Sequence, residues 1–394
     1  MKLLHQVWHN KTWNYDALFN NWIWDWLIFT AYSIKEENIW KPLWQQKISF
    51  NSFSSNCFLD LQYYWDKGSK WGSLATYEFH PINNQWWTTL ASSDLSSIEK
   101  WVNYQISKWF KNIIIPHAYY NITDDFNKII DIIEKSNKRV LEKRIEWLKY
   151  FMTLPISENI LNNKDFIDKL LLRITDINIK FDWYYIIIES SPKYKKKIND
   201  DYPFYENVYK ILKTLKQNWF ELIYAYANFN SLVFCSLMDI DYISIWTYEN
   251  LRNFNIRRFT EDIAWWPSDW WYFSEKLLNM IKAKEIAQFR RNWVIDKIKN
   301  ENNIFSDTIL TDWYIRNTHK PEVHKNYLLS ISRLLKELSE IKDRNERKKF
   351  FLWKIEKARL LYAELYDLWV RLFDESSDYF LSTWYGFLER EDTL

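Results

Sequence analysis

Three carboxylates stand at or just past the ends of apolar runs rich in β-branched and aromatic residues. Asp60 and Gln62 lie in CFLDLQYY (57–64), Glu189 closes WYYIIIE (183–189), and Tyr248 and Glu249 follow YISIW (242–246). Carboxylates converging on one mouth can serve as general base, as nucleophile, or as a paired acid and base. Each alone also reads as a salt-bridged structural group; three in equivalent positions argue for a site. His117, in NIIIPHAY (112–119), adds a side chain whose unshifted pKa lies near neutrality, with a hydrogen-bonded packing role as the alternative. The same criterion, polar groups at the ends of apolar runs, picks out His9, and selects Tyr119, Tyr226 and Asn228 for binding polar parts of a substrate. Arg252, Arg257 and Arg258 follow within a few residues of Glu249. A guanidinium fork matches phosphate or carboxylate oxygens, so Arg252 and Arg257 form a candidate anion clamp; ion pairs with Glu261 and Asp262 are the alternative.

Placing these groups together requires the runs to be strands of one sheet. Eight such runs occur, beginning at Lys2, Trp26, Cys57, Asn112, Lys149, Trp183, Phe220 and Tyr242, nearly all followed by helical patterns. The stretch Asp124–Trp147 shows this most clearly, with Ile129, Ile132, Ile133 and Val140 at helical spacing. Alternation of helices with continuously apolar strands argues an α/β protein with a parallel sheet. Eight units fit a closed (β/α)8 barrel of the TIM type, whose catalytic groups sit at the C-terminal strand ends. An open doubly wound sheet would want a glycine-rich first turn, and HQVWHNK (5–11) has none. Residues 1–292 are assigned to the barrel, with Phe273–Arg291 as its closing helix. Residues 322–394 form a charged, amphipathic helical extension, either packed on the barrel or serving as an interaction arm. The connection Trp65–Leu95 is long enough to be a lid.

The 394-residue chain has 3 Gly and 26 Trp, whereas Gly alone ordinarily supplies ~7% of residues. Several tryptophans fall where turns call for glycine: Trp219 between a helix and a strand, Trp22, Trp24 and Trp26 in NNWIWDW, and the pairs Trp86-Trp87 and Trp265-Trp266. A codon read as Gly in the source and rendered here as Trp accounts for this, with glycine expected at Trp219 and Trp246. Abundant Asn, Lys, Ile, Tyr and Phe fit an AT-rich genome, in which a reassigned stop codon is reasonable. A protein that is natively Trp-rich is the alternative.

The net charge of +2 gives no strong overall attraction for polyanions. Cys57 and Cys235 are too few for a disulfide framework or a CxxC metal site. His319 and His324 lack Cys or acidic partners at ligand spacing, so no metal and no cofactor are expected. No Walker loop or GxSxG elbow occurs. No stretch approaches the ~18 uninterrupted apolar residues of a membrane span, and the amino terminus lacks a signal peptide, so a cytoplasmic location is expected.

Between Asp182 and Phe259 the order of features resembles the second half of the tRNA-guanine transglycosylase barrel. That family has a DGY-type strand, a helix, a strand, and then a G-x-D strand before an Arg-bearing loop. Here Asp182-Trp183-Tyr184, Asp241-Tyr242-Ile243-Ser244 and Thr247–Arg252 stand in that order. The resemblance implies that Asp60 faces a nucleobase. It departs from the family where the nucleophilic Asp would fall near Ser244 and where the Cys/His zinc cluster is missing. It therefore implies a diverged relative rather than the family's own base exchange.

These observations lead to an expected enzyme of glycosyl-transfer or hydrolase type, acting on an anionic nucleotide- or sugar-containing substrate. Asp60, Glu189, Glu249 and His117 would be catalytic; Gln62, Tyr119, Tyr226, Asn228, Tyr248, Arg252 and Arg257 would bind substrate. The rival is a non-catalytic barrel whose helical tail docks a protein or nucleic acid.

Overall fold

Eight parallel strands close into a barrel in the computed structural model. It describes residues 1–7, 12–40, 49–64, 72–78, 80, 95–121, 123–176, 178, 181, 183–246, 252–260, 270–314 and 321–391. The strands are β1 (Lys2–Val7), β2 (Trp26–Thr30), β3 (Phe58–Asp60), β4 (Asn112–Ile115), β5 (Lys149–Ile156), β6 (Trp183–Ile188), β7 (Glu221–Ala225) and β8 (Tyr242–Trp246). The ring closes where β1 pairs with β8, from Lys2 opposite Tyr242 to Gln6 opposite Trp246. The protein is thus an α/β TIM-type barrel, with helices between the strands and further helices at its C-terminal end.

Both faces of each strand are buried, which is why the strands read as unbroken apolar runs. Leu4, Ile28, Ile114, Phe151, Tyr185 and Ile223 point into the barrel and form one cluster. Their neighbours Leu3, Leu27, Ile113, Tyr150, Tyr184 and Leu222 point outward and pack against the helices. Phe58, Phe151, Trp183 and Tyr242 pack edge-on or tilted, with ring centroids 4.9 to 6.3 Å apart. They stand early in their strands, so these rings fill the N-terminal end of the barrel. Polar inward residues gather nearer the other end.

The closing helix expected at Phe273–Arg291 starts later. Two short antiparallel strands, β9 (Trp271–Ser274) and β10 (Asn279–Lys282), precede it, and the helix is Ala283–Arg291. Phe273 pairs with Met280, and Leu278 enters β10 at φ +51°, a turn that no helix accommodates.

The C-terminal helices Glu322–Glu340, Arg344–Asp367 and Leu381–Arg390 share the barrel's outer core. Tyr327, Ile331, Phe351, Ile355 and Trp384 join the cluster that covers the outward faces of the strands. Trp384 Nε1 donates to the Tyr205 hydroxyl at 2.7 Å, and Arg347 pairs with Asp239 at 2.6 Å. Among the described residues, no helix is long and apolar enough to cross a membrane.

Candidate active site at the C-terminal end of the barrel

Asp60 is the last residue of β3 and faces inward, only 2% exposed. Its Oδ2 accepts from the hydroxyls of Tyr64 (2.6 Å), Tyr185 (3.0 Å) and Tyr226 (3.3 Å). Its Oδ1 accepts from the Gln62 backbone N–H at 2.9 Å. Gln62 achieves this with φ +56°, and its side-chain Nε2 donates to the Tyr226 hydroxyl at 2.6 Å. Gln6 Nε2, from β1, donates to the Tyr185 hydroxyl at 2.9 Å. Side chains from β1, β3, β6 and the end of β7 thereby converge on one carboxylate.

Burial pushes the Asp60 carboxyl up to about 6, even though four hydrogen bonds favour its ionised form. Burial and the nearby Asp60 charge hold Tyr64, Tyr185 and Tyr226 far above the ordinary tyrosine value, so all three remain neutral donors. Arg258 lies on the short helix Arg257–Thr260 with its guanidinium carbon 4.3 Å above the Trp246 ring. The residue is half-buried as a whole, its Nε and Nη2 being the atoms shut off from solvent. Burial lowers its pKa to about 10, while the neighbouring Tyr226, Tyr32, Tyr64 and Asp60 pull it the other way. It stays a cation at neutral pH, facing the Asp60 network over Trp246, which stacks on Tyr226 at 5.5 Å.

A second group forms around Glu189, just past β6. Its Oε2 accepts from the Tyr119 hydroxyl and, at 3.4 Å, from the Glu158 N–H; its Oε1 accepts from the Ile256 N–H at 3.2 Å. Glu189 also bridges to Phe254 in parallel fashion. The Phe254 ring neighbours those of Tyr119, Tyr64 and Tyr226, with centroids at 6.1, 5.2 and 5.2 Å. Tyrosines bonded to each of the two carboxylates thus meet at one aromatic ring. Burial and the Glu189 charge raise the pKa of Glu158 as well.

The remaining expected residues are placed differently. His117 is buried, its Nδ1 paired with the Tyr120 hydroxyl, and burial lowers its pKa to about 3. Asn228 Oδ1 accepts from the Tyr327 hydroxyl at 3.0 Å, so it fastens the barrel to the Glu322–Glu340 helix. Arg252 is 2% exposed, with its guanidinium carbon 3.4 Å from the centre of the Tyr327 ring and its Nη1 donating to Met280 Sδ. It stands inside the protein rather than open at the mouth, because Tyr327 and Met280 cover it. Arg257 is exposed, on the same short helix as Arg258. His9, Tyr248, Glu249 and His319 lie outside the described residues, as does most of 65–95. Among the described residues, no group of three or more His, Cys, Asp or Glu could hold a metal ion.

Sequence reasoning missed Tyr64, Tyr185, Gln6 and Glu158. Tyr185 and Gln6 carried a usable signal, since each occupies an inward parity position of a strand. Gln6 Oε1, Gln62 Oε1, Thr153 Oγ1 and Ser244 Oγ are buried with no hydrogen-bond partner among the described residues. Buried polar atoms in this state call for a ligand or water. Comparison with models of known protein families, with curated proteins and with solved structures gave no match.

Proposed function

We propose that the C-terminal end of the barrel is an active site for acid–base chemistry on a sugar- or nucleotide-containing anionic substrate, in a glycosyl-transfer or hydrolytic reaction. The observation that carries this reading is Asp60, a buried carboxylate held by three tyrosine hydroxyls with its pKa raised to about 6. A proton acceptor works best when its pKa lies near the operating pH, and this one is poised there. Oδ2 is occupied by the three hydroxyls, which leaves Oδ1, with its single backbone donor, to exchange a proton with substrate. Gln6, Gln62, Thr153 and Ser244 offer uncommitted polar atoms suited to sugar hydroxyls. Arg258 and the exposed Arg257 supply positive charge for a phosphate or carboxylate. Glu189, already committed to Tyr119 and two backbone N–H groups, orients the wall of the site.

The test is a turnover screen over aryl glycosides, nucleosides and sugar phosphates, comparing the protein with its Asp60→Asn and Glu189→Gln forms. The expected activity rises through about pH 6, following Asp60, and falls at least a hundredfold in Asp60→Asn. Glu189→Gln should retain most of it. Full activity in Asp60→Asn, or a pH profile without a limb near that value, would sink the proposal.

A further inference from the structure

Four tryptophans share one backbone motif. The helix Leu95–Ser107 ends with Trp109 N–H on the Ile106 carbonyl and Phe110 N–H on the Gln105 carbonyl. Tyr202–Gln217 ends in the same way, Trp219 on Lys216 and Phe220 on Leu215. So do Ala283–Arg291, with Trp293 on Arg290 and Val294 on Phe289, and Arg344–Asp367, with Trp369 on Tyr366 and Val370 on Leu365. This paired pattern is the Schellman motif, which needs a left-handed residue at the position the tryptophan holds. Their φ angles are +64°, +67°, +59° and +61°. Apolar residues stand where the motif's accompanying contact is made: Phe289, Leu365 and Val370 belong to one buried cluster, and Val294 packs against it.

We infer that Trp109, Trp219, Trp293 and Trp369 are glycines in the protein as its source organism makes it, a codon read there as Gly being rendered here as Trp. The left-handed region is open to glycine at no steric cost, whereas the Cβ of any bulky L-residue crowds the backbone there. Burial does little to offset that cost, because the four side chains are 66%, 93%, 93% and 77% exposed. Trp22 belongs with them, at φ +52° and 79% exposed beyond the helix Thr12–Phe19. Five of the eleven non-glycine residues with positive φ among those described are thus tryptophan. Tryptophans in the core behave otherwise. Trp24, Trp101, Trp246 and Trp384 are buried, and none has positive φ. Conformation therefore separates Trp219 from Trp246, which composition alone grouped together.

Exposed indoles can also form a sugar-binding platform. Trp109 and Trp219 lead into β4 and β7, at the end of the barrel opposite Asp60, so they would not serve the site described above.

Peptide mass spectrometry of the protein purified from its source decides the matter. Glycine is expected at positions 109, 219, 293 and 369, and tryptophan at any one of the four would overturn the inference. A second measurement needs only the recombinant chain as written. Each of Trp109→Gly, Trp219→Gly, Trp293→Gly and Trp369→Gly should raise the folded-to-unfolded ratio by roughly fivefold to tenfold. Trp101→Gly and Trp384→Gly should lower it. No gain at the four helix ends would count against glycine there.

Discussion

The Tyr185 hydroxyl donates to Asp60 Oδ2 at 3.0 Å across the barrel interior, between residues 125 positions apart in the chain. The same hydroxyl accepts from Gln6 Nε2, so β1, β3 and β6 meet at one oxygen pair. Removing the hydroxyl takes a donor from the carboxylate and an acceptor from the amide. Tyr185→Phe should therefore lift the Asp60 pKa further and cost about 1–2 kcal/mol of stability, read by chemical denaturation. Unchanged stability together with an unchanged Asp60 titration would show that the contact does not bear on the carboxyl.

Asp60 itself sets a pH dependence of stability. Its carboxyl goes from 3.8 in the unfolded chain to about 6 in the folded one, so between these values the folded state holds the extra proton. Its contribution is greatest below the unfolded value and declines as pH rises through about 6, by on the order of 3 kcal/mol. Asp60→Asn should accordingly gain relative to the parent across that window, and the difference between them should stay constant above it. A difference that stays flat with pH would contradict the raised pKa.

His117 acts in the opposite sense. Burial keeps its imidazole neutral down to about 3, while in the unfolded chain it protonates near 6.5. The stability it supports is intact above the unfolded value and is lost as pH falls towards 3. Thermal unfolding of His117→Gln at successive pH values should show a shallower acid limb than the parent. An identical limb would mean that other groups, such as the equally buried His5, govern acid unfolding.

Trp384 joins the C-terminal helices to the barrel. Its ring is fully buried against Phe380 and Phe229, and its Nε1 donates to Tyr205. Trp384→Ala should cost about 3–5 kcal/mol, the range for deleting a large buried aromatic side chain. Denaturation midpoints are the readout, and a loss under ~1 kcal/mol would mean the helices are held mainly by other contacts.

Much of this architecture was legible in the chain. Each of the eight strands coincides with an apolar run, because a parallel strand covered on both faces has no solvent side to encode. Asp60 and Glu189 stood out for a related reason: a carboxylate ending such a run falls at the rim, where strand backbone gives way to loop. The β9–β10 hairpin was not legible. FSEKLLNMIKAKEIAQFRR has helical spacing throughout, and only the pairing of Trp271–Ser274 with Asn279–Lys282 sets its first half as strand. Local propensity is weak against a tertiary partner.

The sequence by itself determined the strand count, the closed barrel and the places of Asp60 and Glu189 at the ends of β3 and β6, since periodicity and parity are local properties of a chain. Only the tertiary structure decided which groups meet. Closure brought Tyr185 and Gln6 to Asp60, and the packing of Tyr327 drew Arg252 inward while Arg258 came to face the site. These outcomes depend on distances between residues far apart in sequence, and no local pattern encodes such a distance.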